Sequence, residues 1–104
     1  MARSVNRLEL IRPNWPAAPR IAAAATTRAG GHSTGRFAEL NLANHVGDKP
    51  ETVARNRKIL ATELDLPEAP RWLQQGHGAQ VADAAEVSVV TPADAIISTT
   101  PGQV

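Results

Sequence analysis

Apolar positions along this 104-residue chain come in short bursts separated by Gly, Pro and charged residues, and one stretch sustains a helical period. That stretch opens at Asp48. Asp48 can cap it, Glu51 follows three residues on as in a capping box, and Pro50 falls in the first turn, where a missing N–H costs little. Val53, Leu60, Ala61 and Leu64 then share one face, with Arg55, Lys58 and Glu63 turned to water. The pattern predicts a helix that ends near Asp65, shortly before Pro67.

The remaining bursts are too short for helices and read as strands. Residues 8–11 form one, ended by Arg12-Pro13-Asn14-Trp15-Pro16, whose prolines exclude a central strand. Residues 20–27 form a second; their alanines also allow a helix, but Pro19 and Gly30-Gly31 keep the segment short. Residues 37–42 read as a short turn or helix, and 67–70 as a connecting loop. Residues 71–75 and 79–86 are extended segments interrupted by Gly76-His77-Gly78. Residues 93–99, with Ile96 and Ile97, give a last strand before a turn at Pro101-Gly102. No repeat, heptad or low-complexity tail is present.

Composition narrows the function classes. Hydrophobic residues make up 42% and charged residues 20%, a globular balance. Aromatic residues are only 3%, so the core must rest on Ala, Leu, Val and Ile, which makes it marginal for a chain this size. The net charge is +1, and the basic residues are scattered with no aromatic cluster among them, which disfavours nucleic acid as a partner. Residues 1–10 contain Glu9 and no apolar run, so they do not read as a signal peptide. No run is long enough to span a membrane. A cytoplasmic protein is expected, and the absence of cysteine leaves the redox compartment open.

Few residues can do chemistry. His32, His45 and His77 all lie in polar or glycine-flanked loops, and none has a second histidine at helical spacing to form a local metal motif. His32 and His45 read as solvated. His77 is flanked by Gly76 and Gly78, which expose its ring and let the backbone bend, and Gln74 or Gln75 could orient the imidazole. Spacing by itself still favours a structural or solvated role for it. The segment Arg28-Ala29-Gly30-Gly31-His32-Ser33-Thr34-Gly35 has three glycines in eight residues. It can turn backbone N–H groups toward an anion, with Arg28 supplying charge. It matches neither a Walker loop nor a dinucleotide fingerprint, and a plain surface turn is the simpler reading. Residue by residue, then, the chain is a domain mixing helix and strand with one suggestive loop histidine.

Taken in order, several blocks resemble a known family. They are Asn14-Trp15-Pro16; Thr26-Thr27-Arg28-Ala29-Gly30-Gly31-His32-Ser33; Glu39-Leu40-Asn41-Leu42; Val46-Gly47-Asp48 with Asn56-Arg57; Trp72-Leu73-Gln74-Gln75-Gly76-His77-Gly78; and Ala93-Asp94-Ala95 with Thr100-Pro101-Gly102. Their order and spacing are similar to the opening of the laccase-domain (YfiH-type) proteins. These were once labelled multicopper polyphenol oxidases and are now assigned as purine nucleoside phosphorylases. The resemblance covers nearly the whole chain. It implies an α+β fold, a mixed sheet with a packed helix, of which residues 1–104 are an N-terminal portion.

What the resemblance implies about chemistry is specific. The family's zinc site uses a His from a Gln-x-His-Gly motif, a Cys from a Thr-Ala-Asp-Cys motif and a His from a His-Ala-Gly-Trp-Arg motif. Only the first maps here, as His77, which becomes the expected metal ligand and catalytic residue. Arg28, Asn41 and Gln75 become expected substrate-binding residues. Purine nucleoside and phosphate become the expected partners, with adenosine deamination as a further activity. Copper, the older label's metal, fits less well, because one His/Cys/His site is not a multicopper centre. Gly76 stands where relatives usually carry a larger residue, which could loosen the backbone that aims His77. Two other readings stay open: a non-catalytic fragment or partner-dependent subunit that associates through exposed strand edges, and a small anion-binding module built on the glycine loop.

Overall fold

The computed structural model describes residues 8–16, 18–87 and 91–104. Most of the segment read as lacking a signal peptide, residues 1–7, lies outside them. One helix and six short strands make up the fold, in the order β1 (Leu10–Ile11), β2 (Ala25–Thr26), α1 (Pro50–Glu63), β3 (Leu73–Gln74), β4 (Val81–Asp83), β5 (Thr91–Pro92) and β6 (Ala95–Ile97). This is the α+β arrangement expected, with both antiparallel and parallel pairing.

The strands are shorter than the sequence predicts. Only Leu10–Ile11 and Ala25–Thr26 pair, antiparallel, and the Thr27 hydroxyl extends the link by donating to the Glu9 carbonyl at 2.8 Å. The start of the 20–27 segment is taken by a turn in which Ile21 N–H reaches the Ala18 carbonyl at 2.8 Å. Its alanines offer too little side chain to hold a longer ladder. The end of the 79–86 segment also leaves the strand. Residues Ala84–Glu86 form a 3₁₀ turn because the Asp83 carboxylate accepts the Ala85 N–H at 3.0 Å and caps it. Another 3₁₀ turn occupies Gly35–Phe37. At the chain's end, Pro101 and Gly102 (φ 80°) form the expected turn, closed from Gln103 N–H to the Thr100 carbonyl.

The helix lies where the period places it, with one correction at each end. Lys49 and not Asp48 is the N-cap, and it makes no side-chain cap bond. Asp48 is drawn away by partners distant in sequence, described below. At the other end Asp65 adopts φ 51°. Leu66 N–H bonds the Ala61 carbonyl and Asp65 N–H bonds that of Thr62, a Schellman termination with Asp at the position glycine prefers. Val53 and Leu60 are buried as predicted, while Ala61 and Leu64 are half-buried. The third buried helix position is polar: Asn56 is 0% exposed.

The second half of the chain is a parallel ribbon with a gap in it. Leu73 and Gln74 pair with Thr91 and Pro92. Val81, Ala82 and Asp83 then pair with Ala95, Ile96 and Ile97 in the same parallel sense. Between these ladders, residues 75–80 on one side stand opposite only Ala93 and Asp94 on the other. The surplus bows outward, and His77 is on the bow.

The buried apolar set is small: Leu40, Val53, Leu60, Ala84 and Ala93. Ile11, Ile21, Val81 and Ile97 are at least half exposed. Val81 and Ile97 share the open face of the β4–β6 pair, opposite the half-buried Ala82 and Ile96. Among the described residues, no helix is long and apolar enough to cross a membrane.

Candidate functional site

The bow that carries His77 is closed at its neck by main-chain bonds. Ala93 N–H reaches the Gln74 carbonyl at 3.2 Å, and Asp94 and Ala95 N–H both reach the Gln80 carbonyl, at 2.9 and 3.2 Å. Inside the bow no ladder partner exists for its own N–H groups. The Asp94 carboxylate takes their place: Oδ1 accepts from Gly76 at 3.2 Å and Gly78 at 2.8 Å, and Oδ2 accepts from Gln80 at 3.0 Å. The N–H groups of Gly78, Gln80, Gly76 and His77 favour the ionised form and hold this carboxyl below its ordinary pKa.

The positions of glycine and strain differ from the sequence reading. His77 itself takes the left-handed conformation, φ 61°, whereas Gly76 and Gly78 do not have positive φ. Gly78 lies close to the carboxylate: a Cβ there would be 3.3 Å from Asp94 Oδ2, a tight contact. At Gly76 a Cβ would meet nothing within 4 Å, so a larger residue has room there. The His77 side chain is exposed, as are Gln74 and Gln75. No hydrogen bond among the described residues joins either glutamine to the imidazole. The group that shapes this loop is Asp94, which appeared in the sequence only as part of a matching block.

The other expected residues, Arg28 and Asn41, meet elsewhere. They line one open cleft of about 310 Å³ with Arg36, Phe37, Ala38 and Leu40. Neither His77 nor Gln75 lines it. Arg28 is fixed through Nε, which donates to the Ala38 carbonyl at 2.9 Å, while its own carbonyl accepts from Glu39 and Leu40 N–H. Arg36, which the sequence did not single out, lies over the Phe37 ring at 4.9 Å. Two guanidinium groups thus border the same cleft. Asn41 makes local bonds: its Oδ1 accepts from Ala43 N–H at 3.1 Å and its Nδ2 donates to Asp48 Oδ2 at 3.2 Å.

The glycine loop behind this cleft is organised by Asn56. Its Oδ1 accepts the His32 N–H at 2.8 Å, and its Nδ2 donates to Ser33 Oγ and to the Asn41 carbonyl, each at 2.8 Å. Buried Ser33 passes the chain on, donating to Asp48 Oδ2 at 2.6 Å. The Ser33 hydroxyl, then Asn41 and the Lys49 N–H, hold the Asp48 carboxyl below its ordinary value of 3.8 against the opposing effect of desolvation. Gly31 is where the loop touches this network: a Cβ would lie 2.2 Å from the Glu39 carbonyl oxygen and 2.7 Å from Asn56 Oδ1. Arg57 ties the helix to the segment after that loop through Nε to the Leu42 carbonyl at 2.8 Å, and its guanidinium stacks on Trp72 at 4.3 Å. His32 and His45 are exposed.

A zinc ion suits an imidazole donor but takes four ligands, of which at least three normally come from protein. Among the described residues no three His, Cys, Asp or Glu side chains come together to hold a metal ion. His77 can supply one ligand, and these residues supply no completed set.

Residues 22–104 match the family described as multi-copper polyphenol oxidoreductase laccase. The chain belongs to that family. It is 43% identical over 97 residues to the purine nucleoside phosphorylase YfiH of Escherichia coli K12, covering 92% of this chain and 40% of that protein. It is 45% identical over 92 residues to the purine nucleoside phosphorylase PA4543 of Pseudomonas aeruginosa, covering 88% and 37%. The crystal structure of Neisseria meningitidis protein NMB0706 superposes with a TM-score of 0.70 at 41% identity, over 82% of this chain and 34% of that one. The α+β fold seen here is a fragment of the laccase-domain fold. The chain spans about two-fifths of the length of the curated relatives it matches.

Proposed function

We propose that this chain forms part of the catalytic architecture of a purine nucleoside phosphorylase. In that reaction a phosphate oxygen attacks C1′ of a nucleoside such as inosine or adenosine. The C1′–N9 bond breaks, ribose 1-phosphate forms, and the purine leaves with a proton. The reading is carried by membership of the laccase family together with a glycine-bordered histidine presented to solvent on a closed loop. His77 is assigned to the reacting region as a metal ligand, and zinc, when bound, would polarise an oxygen or activate water. The second use would serve adenosine deamination. The described residues alone complete no such site, so the steps assigned to this chain are binding and orientation.

Arg28 and Arg36 are assigned to phosphate. Two arginines lining one cleft suit a doubly charged anion better than a neutral ligand. Asn41 and Gln75 are assigned to the nucleoside. The test is phosphate-dependent conversion of inosine to hypoxanthine by the protein as its own cell makes it. Substituting H77A is expected to remove the activity. R28A is expected to raise KM for phosphate about tenfold or more while leaving KM for inosine nearly unchanged. Unchanged kinetics in both variants would sink these assignments.

The single ligand favours a second reading of the 104-residue chain taken alone: no activity by itself, and function only with a complement that covers its open β-edges. Val81 and Ile97 on the uncovered face of β4–β6 are the surface such a complement, or a second copy, would bury. Stoichiometric zinc binding with phosphorolysis by the isolated chain would exclude this reading.

A further inference from the structure

We propose that Asp94 is a positioning residue for His77, an inference that rests on the role given to His77 above. No side chain among the described residues bonds the imidazole, so what the fold fixes is the main chain that sets where the Cα–Cβ bond of His77 points. That main chain is in an unfavourable region. A left-handed residue other than glycine is disfavoured and persists only where its surroundings over-determine it. Here main-chain bonds close the neck of the loop and one carboxylate holds its interior. Asp94 Oδ1 accepts the N–H groups on both sides of His77, from Gly76 at 3.2 Å and Gly78 at 2.8 Å. Oδ2 accepts from Gln80 at 3.0 Å, where the loop rejoins the ribbon. The pinch on either flank leaves His77 at the apex with its side chain turned outward.

The geometry needs a side chain with two accepting oxygens and no donor. Asparagine keeps one oxygen for the pair flanking His77, but its NH₂ would face the Gln80 N–H, donor against donor. Alanine removes every bond. Three states of the loop are therefore available: wild type, D94N with part of the pinch, and D94A with none.

The three-bond HN–Hα coupling and amide shift of His77, measured by NMR in the 104-residue chain, read the backbone directly. D94A is expected to move His77 out of the left-handed region, with D94N intermediate. Phosphorolysis by the natural protein reads the consequence. A misplacement of about 1 Å can cost about 100-fold in rate, so kcat/KM is expected to fall roughly 10- to 100-fold in D94A and less in D94N. The loss is expected in kcat/KM per folded molecule, following the His77 coupling from wild type through D94N to D94A, whereas a purely structural role would lower the folded fraction and leave that value unchanged. An unchanged His77 coupling in D94A overturns the proposal, as does an unchanged kcat/KM per folded molecule. If D94A does not fold, the same coupling measured in D94N decides. Wild-type activity in H77A would instead overturn the role of His77, while the coupling still decides whether Asp94 sets its backbone.

Discussion

Asn56 and Asp94 each gather the main-chain groups of a loop, but Asn56 does so at 0% exposure on the inner face of α1, whereas Asp94 does so at a strand junction open to water. The amide is neutral, so burying it carries no charge-desolvation cost, and its donors and acceptor meet the His32 N–H, Ser33 Oγ and the Asn41 carbonyl. Remove it and the His32 N–H and the Asn41 carbonyl lose their partner in a part-buried site, while buried Ser33 loses the bond from the Asn56 amide. The carboxylate meets three N–H groups that water can reach once it is gone. Losing Asn56 therefore threatens the fold, and losing Asp94 threatens the direction of one side chain.

The largest expected effect follows from that difference. N56A should destabilise the chain by about 3–5 kcal/mol, because it orphans buried groups at roughly 1–3 kcal/mol each and leaves a void. A calorimetric or urea-denaturation loss below about 1 kcal/mol would break the comparison at its root. G31A attacks the same network by crowding, with a Cβ placed 2.2 Å from the Glu39 carbonyl oxygen. A loss of about 3 kcal/mol, the upper end for overpacking, is expected in the same assay.

Acid should sharpen the picture next. The Asp48 carboxyl is held below its ordinary 3.8 by Ser33, Asn41 and the Lys49 N–H. A depressed folded pKa gives stability that is present above the unfolded value and lost as pH falls through the folded one. The Tm difference between wild type and D48N should be steady above about pH 5 and close below about pH 4. A gap that widens in acid would show that the carboxylate is not stabilised by these partners.

The smallest effects are gains. D65G relieves a left-handed residue at the helix terminus and should stabilise by about 0.5–1 kcal/mol in equilibrium denaturation. G76A has room for its Cβ and should add about 0.5 kcal/mol by restricting the unfolded chain. It should leave the His77 coupling unchanged, since the pinch and not the glycine sets that backbone. A shifted coupling would transfer the credit from Asp94 to Gly76.

The helix was legible in the sequence because Val53, Leu60, Ala61 and Leu64 repeat at its period, and such repeats are local. Asn56 on the same stripe was not, because a polar residue between apolar ones reads as solvent-facing until its partners, 15 to 24 residues away, are known. Asp48 read as a cap for the same reason: the cap pattern is local, and its real partner Ser33 is not. Strand positions were legible, but not their lengths, partners or parallel sense, since pairs such as Leu73 with Thr91 join distant positions. The flanking glycines made His77 a candidate, but by themselves they favoured a structural or solvated role, and its expected role came from the resemblance. The strain on His77 itself, the pinch by Asp94 and the meeting of Arg28 with Arg36 in one cleft depend on contacts that no short window contains.

Amide hydrogen exchange in the wild-type chain sets the two regions side by side under one condition. The His32 and Ser33 amides, bound to Asn56 and the Glu39 carbonyl, are expected to exchange only when the whole chain unfolds, with protection tracking global stability in denaturant. The Gly78 and Gln80 amides, bound to Asp94, are expected to exchange through local opening that low denaturant leaves unchanged. Equal protection with the same denaturant dependence in both regions would contradict the division into a buried frame and a locally aimed histidine.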